Sequence, residues 1–334
     1  MKKAIIVFLL ISILAGGVFA QVTFSGEGFG GIRLESHDGD ETIDAFHRDE
    51  WSGVPRFDFT VTAMREDFGG RLDTTFQMTD DPDSHFILNG VYFWGNFLDN
   101  TLRLTVGQIS TAAWTTTLHS SLDNYHFDDV RGLRLEYWTP VPGLRVGVAF
   151  ETDGHDFESL ARQMIFGGTF VHPLFSAVFA YDLGSNTRTL FGFNFTGIPD
   201  LTAGIQLRGT RLTSWSDEYF FGTLEMHQMV GYRITRPLFV YLITGQIFDG
   251  RSGAGPHWEI TPGVEYRFLP NLTGSFSITL DNFDGNPNKN LTLNPVLEKM
   301  FRGPALFYIE YELRLDNMEN PRHMFGLGIE IRAF

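Results

Sequence analysis

From about residue 22 onward, apolar residues recur at every second position in short runs, and this period of two decides what the chain can become. Leu144, Val146, Val148 and Phe150 alternate with Arg145, Gly147, Ala149 and Glu151. Phe57, Phe59, Val61 and Ala63 alternate with Asp58, Thr60 and Thr62, and Phe307, Ile309, Tyr311 and Leu313 with Tyr308, Glu310, Glu312 and Arg314. Leu133 to Tyr137, Leu201 to Leu207 and Leu272 to Leu280 repeat the pattern. Successive side chains of an extended chain point to opposite faces, so each run is a strand with one apolar and one polar face. No later stretch approaches the roughly 18 consecutive apolar residues that a membrane-spanning helix needs. The polar face carries both signs of charge, hydroxyls and glycine, as a water-filled lumen would. The apolar face ends near turns in aromatics such as Trp94, Trp138, Tyr266 and Phe268, as an interfacial girdle would, while the register taken alone points Trp138 inward with Tyr308, too few to make an aromatic track. A soluble sandwich also alternates, but 33 Phe, 36 Gly and only 19% charged residues favour a lipid-facing surface. The expected fold is all-β, a transmembrane antiparallel up-and-down β-barrel.

The N-terminus fits that reading. Met1-Lys2-Lys3 gives a positive start, Ala4 to Ala15 is almost unbroken apolar sequence, and Val18-Phe19-Ala20 supplies small residues at a cleavage site. The expectation is a cleaved secretory signal at 1–20 followed by a single barrel domain at 21–334. The apolar run is short for a hydrocarbon core of about 30 Å, which argues against an uncleaved anchor. The chain has no cysteine, which excludes lipid attachment at a processed Cys, disulfides and thiolate metal sites.

Two kinds of connection separate the strands. Pro140-Val141-Pro142-Gly143, His172-Pro173-Leu174, Ile198-Pro199-Asp200, Arg236-Pro237-Leu238 and Leu269-Pro270-Asn271 are short proline turns, because proline presets φ for reversal and cannot sit in a central strand. Longer polar loops lie between them, at His37 to Val54, Thr111 to Val130, Thr152 to Ala161, Thr213 to Glu218 and Asp249 to Pro256. Short turns on one side and long loops on the other is the asymmetry of bacterial outer-membrane barrels, with the short side and both termini periplasmic. An even strand count then requires a strand through Asn290 to Met300 despite Pro295, with a turn at Arg302-Gly303-Pro304. That makes eighteen strands, or sixteen if one weak run is a loop.

The formal net charge is −15, and loss of Lys2 and Lys3 with the leader makes it two units more negative. Such a balance disfavours nucleic acid and suits a pore mouth that prefers cations. Arg103, Arg134 and Arg145 fall on the polar faces of adjacent strands and are candidate lumen charges; pairing of Arg134 with Glu136 or Glu151 is the structural alternative. The acidic clusters at Asp38, Asp40, Glu41 and at Asp80, Asp81, Asp83 lack EF-hand spacing and read as solvated loops. The ten histidines are scattered singly, without metal spacing, and no nucleophile has a readable partner. No cofactor and no catalytic residue is expected.

Two stretches resemble a known family. The C-terminal run Phe325 to Phe334, an alternating strand ending in Phe, resembles the signal by which outer-membrane barrels address the barrel assembly machinery, and implies that Phe334 is that handle. Leu104-Thr105-Val106-Gly107-Gln108, the long connection from Thr111 to Val130 and the return through Arg131 to Tyr137 resemble the fifth strand and third external loop of general bacterial porins. That resemblance implies a third loop folded into the lumen, with Asp123, Asp128 and Asp129 facing Arg103 and Arg134, although the family's usual acidic loop motif is absent. Glycine-rich, acidic-looped chains of this kind also resemble outer-membrane barrels of spirochaetes. The resemblance implies a bacterial outer-membrane channel, embedded in lipid, for passive diffusion of small hydrophilic solutes, and admits a homotrimer. A substrate-specific channel, or a non-catalytic adhesive or structural surface barrel, are the alternatives.

Overall fold

The alternating runs fold as strands, each paired antiparallel with the next. In the computed structural model, residues 21–331 are described except 47–53, 80–84, 110–113, 119–129, 152–163, 184–187, 211–221, 250–256, 283–288, 302–303 and 317. The strands are β1 (Gln21–His37), β2 (Asp40–Phe46), β3 (Arg56–Arg65), β4 (Phe68–Gln77), β5 (Phe86–Phe97) and β6 (Leu102–Ile109). They continue as β7 (Val130–Trp138), β8 (Leu144–Glu151), β9 (Met164–His172), β10 (Phe175–Asp182), β11 (Arg188–Phe195), β12 (Leu201–Thr210) and β13 (Thr223–Thr235). The last are β14 (Leu238–Asp249), β15 (His257–Leu269), β16 (Leu272–Asp281), β17 (Asn290–Met300), β18 (Ala305–Asp316) and β19 (Glu319–Ile331).

Two pairings close the sheet and set its size. The outer half of β1 pairs with β19, from Gly28↔Ile331 to His37↔Arg322. The other side of β1 is shared: its first half pairs with β3 and its second half with β2. β2 therefore continues the wall position of β3, and the nineteen segments make an eighteen-stranded closed barrel. Part of the region read as the loop His37 to Val54 is this hairpin: β1 runs on past the level of β3 and turns back at Asp38-Gly39. β17 spans Asn290–Met300 and makes the strand count even. Pro295 sits opposite Phe276 on β16, and the β17–β18 register skips it between Leu293↔Leu313 and Val296↔Glu310. A residue without an N–H is tolerated there because only one neighbour loses a ladder bond.

All five short proline turns lie between consecutive strands. The turn at 139–143 depends on Gly143, whose φ is +81° and whose pro-Cβ direction points into the carbonyl oxygen of Val171. Gly143 also accepts the Val171 N–H at 3.0 Å, tying the turn to β9. Gly143→Ala should cost about 1–3 kcal/mol, since both a left-handed backbone and a backbone clash oppose the methyl. Its unfolding midpoint in urea should fall, whereas Val141→Ala at the half-exposed tip should leave it unmoved.

The register separates two faces. Leu135, Val148, Phe166 and Tyr181 are consecutive partners across β7 to β10, and Phe166 is 41% exposed with nothing but the surroundings to cover it. Tyr266 and Phe268 share this outward face and stand half-exposed near a short turn, 4.9 Å apart between ring centroids. Trp94 and Trp138 do not. Each has the parity of inward residues, Trp94 with Tyr92 and Trp138 with Glu136, so these two tryptophans line the interior rather than a lipid girdle. Among the described residues no helix is long and apolar enough to cross a membrane; a barrel crosses with strands.

Candidate functional site

The inner wall divides into three sectors, and the register shows how strand parity builds each. The first is basic and aromatic, on β5 to β8. Asn96, Arg103, Glu136 and Gly147 are consecutive inward partners across these strands. Glu136, 3% exposed, lies 3.3 Å from the Arg134 guanidinium and 3.2 Å from that of Arg145. Arg103 donates from Nε to Asn96 Oδ1 at 2.8 Å. Its guanidinium carbon stands 5.9 Å from the Trp94 ring and 5.5 Å from the Trp138 ring, and Arg145 stands 5.9 Å from Trp138. Indole and guanidinium thus alternate across four adjacent strands, a cation–π arrangement that holds each long side chain against the wall. The sequence places all three arginines on one face correctly, and the pairing of Arg134 with Glu136 is present.

The second sector is small and apolar, on β8 to β14. Gly147, Gly167, Ala180 and Leu190 follow one another in register. Against them lies residues 114–118, part of the connection between β6 and β7. Trp114, 2% exposed, packs with Ala149, Ile165, Val178, Ala180 and Leu190, and its indole fills the space where side chains at Gly147 and Gly167 would stand. Two residues on, Thr116 overlies Gly192 and donates from Oγ1 to Gln206 Oε1 at 2.9 Å, a fully buried bond. The Asn194 amide donates to the Thr117 carbonyl. Leu118 overlies Gly204 and packs with Met229, Phe239, Tyr241 and Ile243. The segment crosses the inward faces of β8 to β14, alternate residues entering glycine gaps. Each gap is wide enough because glycine stands at an inward position of neighbouring strands. Those glycines are the signal that periodicity alone passes over: they read as strand-weakening residues until their register is known.

The third sector is polar, on β15 to β19 and β1 to β4. In an eighteen-strand ring, β15 and β16 stand nine positions from β6 and β7. Their inward residues include Glu259 and Asp281, register partners at the long-loop end, with Glu298, Glu310 and Glu312 on the next two strands. Asn294 donates to Glu310 at 2.9 Å, Asn290 to Asp281 at 3.1 Å and Thr261 to Glu259 at 3.0 Å. Three inward arginines pair two residues along their own strand: Arg56 with Asp58 at 3.2 Å, Arg71 with Asp73 at 2.7 Å, Arg314 with Asp316 at 2.7 Å. Each has an outward apolar residue between the charges, an Arg-apolar-acid spacing that is readable in the sequence. Arg322 joins Glu35 at 2.7 Å across the β19–β1 closure.

Asp123, Asp128, Asp129 and Phe334, and the leader at 1–20, lie outside the described residues. Among the described residues no group of three or more His, Asp or Glu is arranged to hold a metal ion.

The fold is similar to that of solved outer-membrane porins and channels. OccAB3 of Acinetobacter baumannii superposes with a TM-score of 0.64 at 11% identity, over 94% of this chain and 99% of that one. OccAB4 of the same organism gives 0.61 at 10% identity over 94% and 98%. An anion-selective porin from Comamonas acidovorans gives 0.51 at 12% identity over 95% and 100%. No family model matches the sequence, and no curated protein matches it. At these identities the likeness is one of fold: this chain is a porin-like barrel.

Proposed function

We propose that this protein is a porin-like channel of a bacterial outer membrane, through which small hydrophilic solutes diffuse passively, narrowed by its third external loop. One observation carries the reading: residues 114–118 of that loop are seated on the inner wall of a closed eighteen-stranded barrel. A barrel of this size with nothing inside leaves a wide aqueous lumen, and a segment laid across seven strands takes up part of it. The similar fold of outer-membrane channels supports transport over catalysis. In this reading the short turns and both termini are periplasmic, a leader at 1–20 is removed on export, and Phe334 addresses the assembly machinery. In this reading inward Glu298 and Glu310, across the ring from Arg103, Arg134 and Arg145, contribute to a field across the passage, which disfavours apolar solutes; Asp123, Asp128 and Asp129 add to it from the loop.

Liposomes containing the folded protein should swell in arabinose, and more slowly in raffinose. No swelling in either sugar, with heat-modifiable barrel present in the membrane, would refute passive diffusion.

Ion preference follows from charge. With −15 on the chain and carboxylates in excess on β15 to β18, a negative potential fills the mouth and half the wall. Reversal potentials in a KCl gradient should show modest cation preference, fading as the Debye length shortens from about 10 Å at 0.1 M to about 3 Å at 1 M. Anion preference would mean that the arginine sector governs the pore.

A further inference from the structure

We propose that the outer, lipid-facing wall holds one glycerophospholipid in a fixed place, with an acyl chain in a slot across β9 and β10 and the phosphate at His172. The inference rests on the membrane reading of the barrel and not on conduction.

The slot follows from where small residues fall on the outward face. Gly168 on β9 pairs with Val146 on β8 and Phe179 on β10; one outward step nearer the short turns, Phe170 pairs with Leu144 and Ala177. Gly168 and Ala177 are therefore diagonal neighbours, and Phe170 and Phe179 stand on the other diagonal as the two sides of a gap. A Cβ at position 168 would lie 3.0 Å from the Arg145 carbonyl oxygen and 3.4 Å from Val146 Cγ1, so glycine keeps the floor low. The result is a groove of about 670 Å³ lined by apolar side chains of β7 to β11. In lipid, burial of apolar surface gives no drive of its own, and close packing against a shaped wall is what holds an occupant. A second barrel presents a convex wall that bridges such a slot without entering it, whereas a single hydrocarbon chain is narrow enough to lie along the diagonal.

Depth and a polar anchor choose the kind of chain. β9 has 9 residues, Met164–His172, about the length that crosses the hydrocarbon core, and Gly168 is its middle residue. His172 is its last, with the same outward parity, about 13 Å along the strand from Gly168 at 3.3 Å per residue. The slot therefore spans half the core and ends where lipid headgroups begin, which is the reach of one leaflet's acyl chain. His172 is exposed. The Leu174 N–H donates to His172 Nδ1 at 3.2 Å, which puts the ring proton on Nε2. Phe170 and Phe175 flank the imidazole at 6.2 and 5.2 Å between ring centroids and hold its direction. Among the described residues nothing accepts from Nε2. An oriented N–H donor at interfacial depth, beside an apolar slot, matches a phosphate oxygen joined to a hydrocarbon chain.

The test is native mass spectrometry of the full chain, folded in detergent micelles doped with palmitoyl-oleoyl phosphatidylglycerol or, separately, with the matching diacylglycerol, which lacks the phosphate. The expected result is one phosphatidylglycerol retained as detergent and further lipids are stripped away. Ala177→Leu fills the slot without altering the backbone and should lower that occupancy about tenfold. His172→Ala should lower it about fivefold, the loss of one hydrogen bond, and the diacylglycerol should be held by the parent no better than that. Val230→Leu, on the exposed outer face of β13, should retain lipid as the parent does. Each comparison uses barrel that is heat-modifiable and therefore folded. A statistical ladder of lipids, equal retention by Ala177→Leu or equal retention of the diacylglycerol overturns the proposal. A dimer or trimer that Ala177→Leu dissociates, with no lipid held, assigns the groove to a second copy and overturns it too. Because no current is measured, failure here leaves the channel reading intact, and a barrel that holds the lipid but passes no current leaves this site standing.

Discussion

Replacing residues 114–127 by a short Gly-Ser link should raise single-channel conductance about twofold or more and admit larger sugars, because the wall then encloses an unobstructed eighteen-strand lumen. The connection from Thr111 to Val130 is far longer than neighbouring antiparallel strands need. Its described part makes no ladder bonds that hold β6 to β7, which pair directly from Leu102↔Tyr137 to Ile109↔Val130. The barrel should therefore still fold and show its heat-modifiable band. Conductance equal to the parent's would place the loop outside the conducting path.

A single side chain anchors that loop. Trp114→Ala removes the largest fully buried side chain among the described residues and leaves the glycine gap at Gly147 and Gly167 empty, at a cost of about 3–5 kcal/mol. The loss falls on the seated segment and not on the ladder, so it should appear as local release: faster proteolytic cleavage between 110 and 129, and noisier, larger current steps. Gly167→Val reaches the same state from the wall, since a side chain there overlaps the indole. Agreement of the two variants identifies the seat as the cause. If Trp114→Ala instead lowers the global unfolding midpoint with no change in cleavage, the tryptophan is a core residue of the wall and anchors nothing.

The period of two made most of the wall legible, because strand parity is a property of neighbouring residues and needs no tertiary knowledge. Arg103, Arg134 and Arg145 were placed on one face by parity, and the counting rule recovered β17 across Pro295. Trp94 was misplaced when residue type was allowed to override parity: an indole suits a girdle, but this one shares the phase of Tyr92, and Trp138, whose register pointed inward, has the phase of Glu136. The glycine seat was not legible. Gly147, Gly167, Gly192 and Gly204 acquire meaning only when the register sets them side by side, and register depends on turn lengths that the sequence gives to within a residue or two. The placing of β15 and β16 across the ring from β6 and β7 depended likewise on the number of strands. Length, placement and the porin resemblance pointed to an inward loop.

The central claim is that a closed barrel conducts past a seated loop. Current through a planar bilayer in 1 M KCl tests it most directly, using purified protein with its heat-modifiable barrel intact. The account predicts discrete, ohmic steps of uniform size, smaller than those of the variant lacking 114–127. A membrane that stays at its baseline with folded barrel inserted, while that variant also fails to conduct, would contradict it.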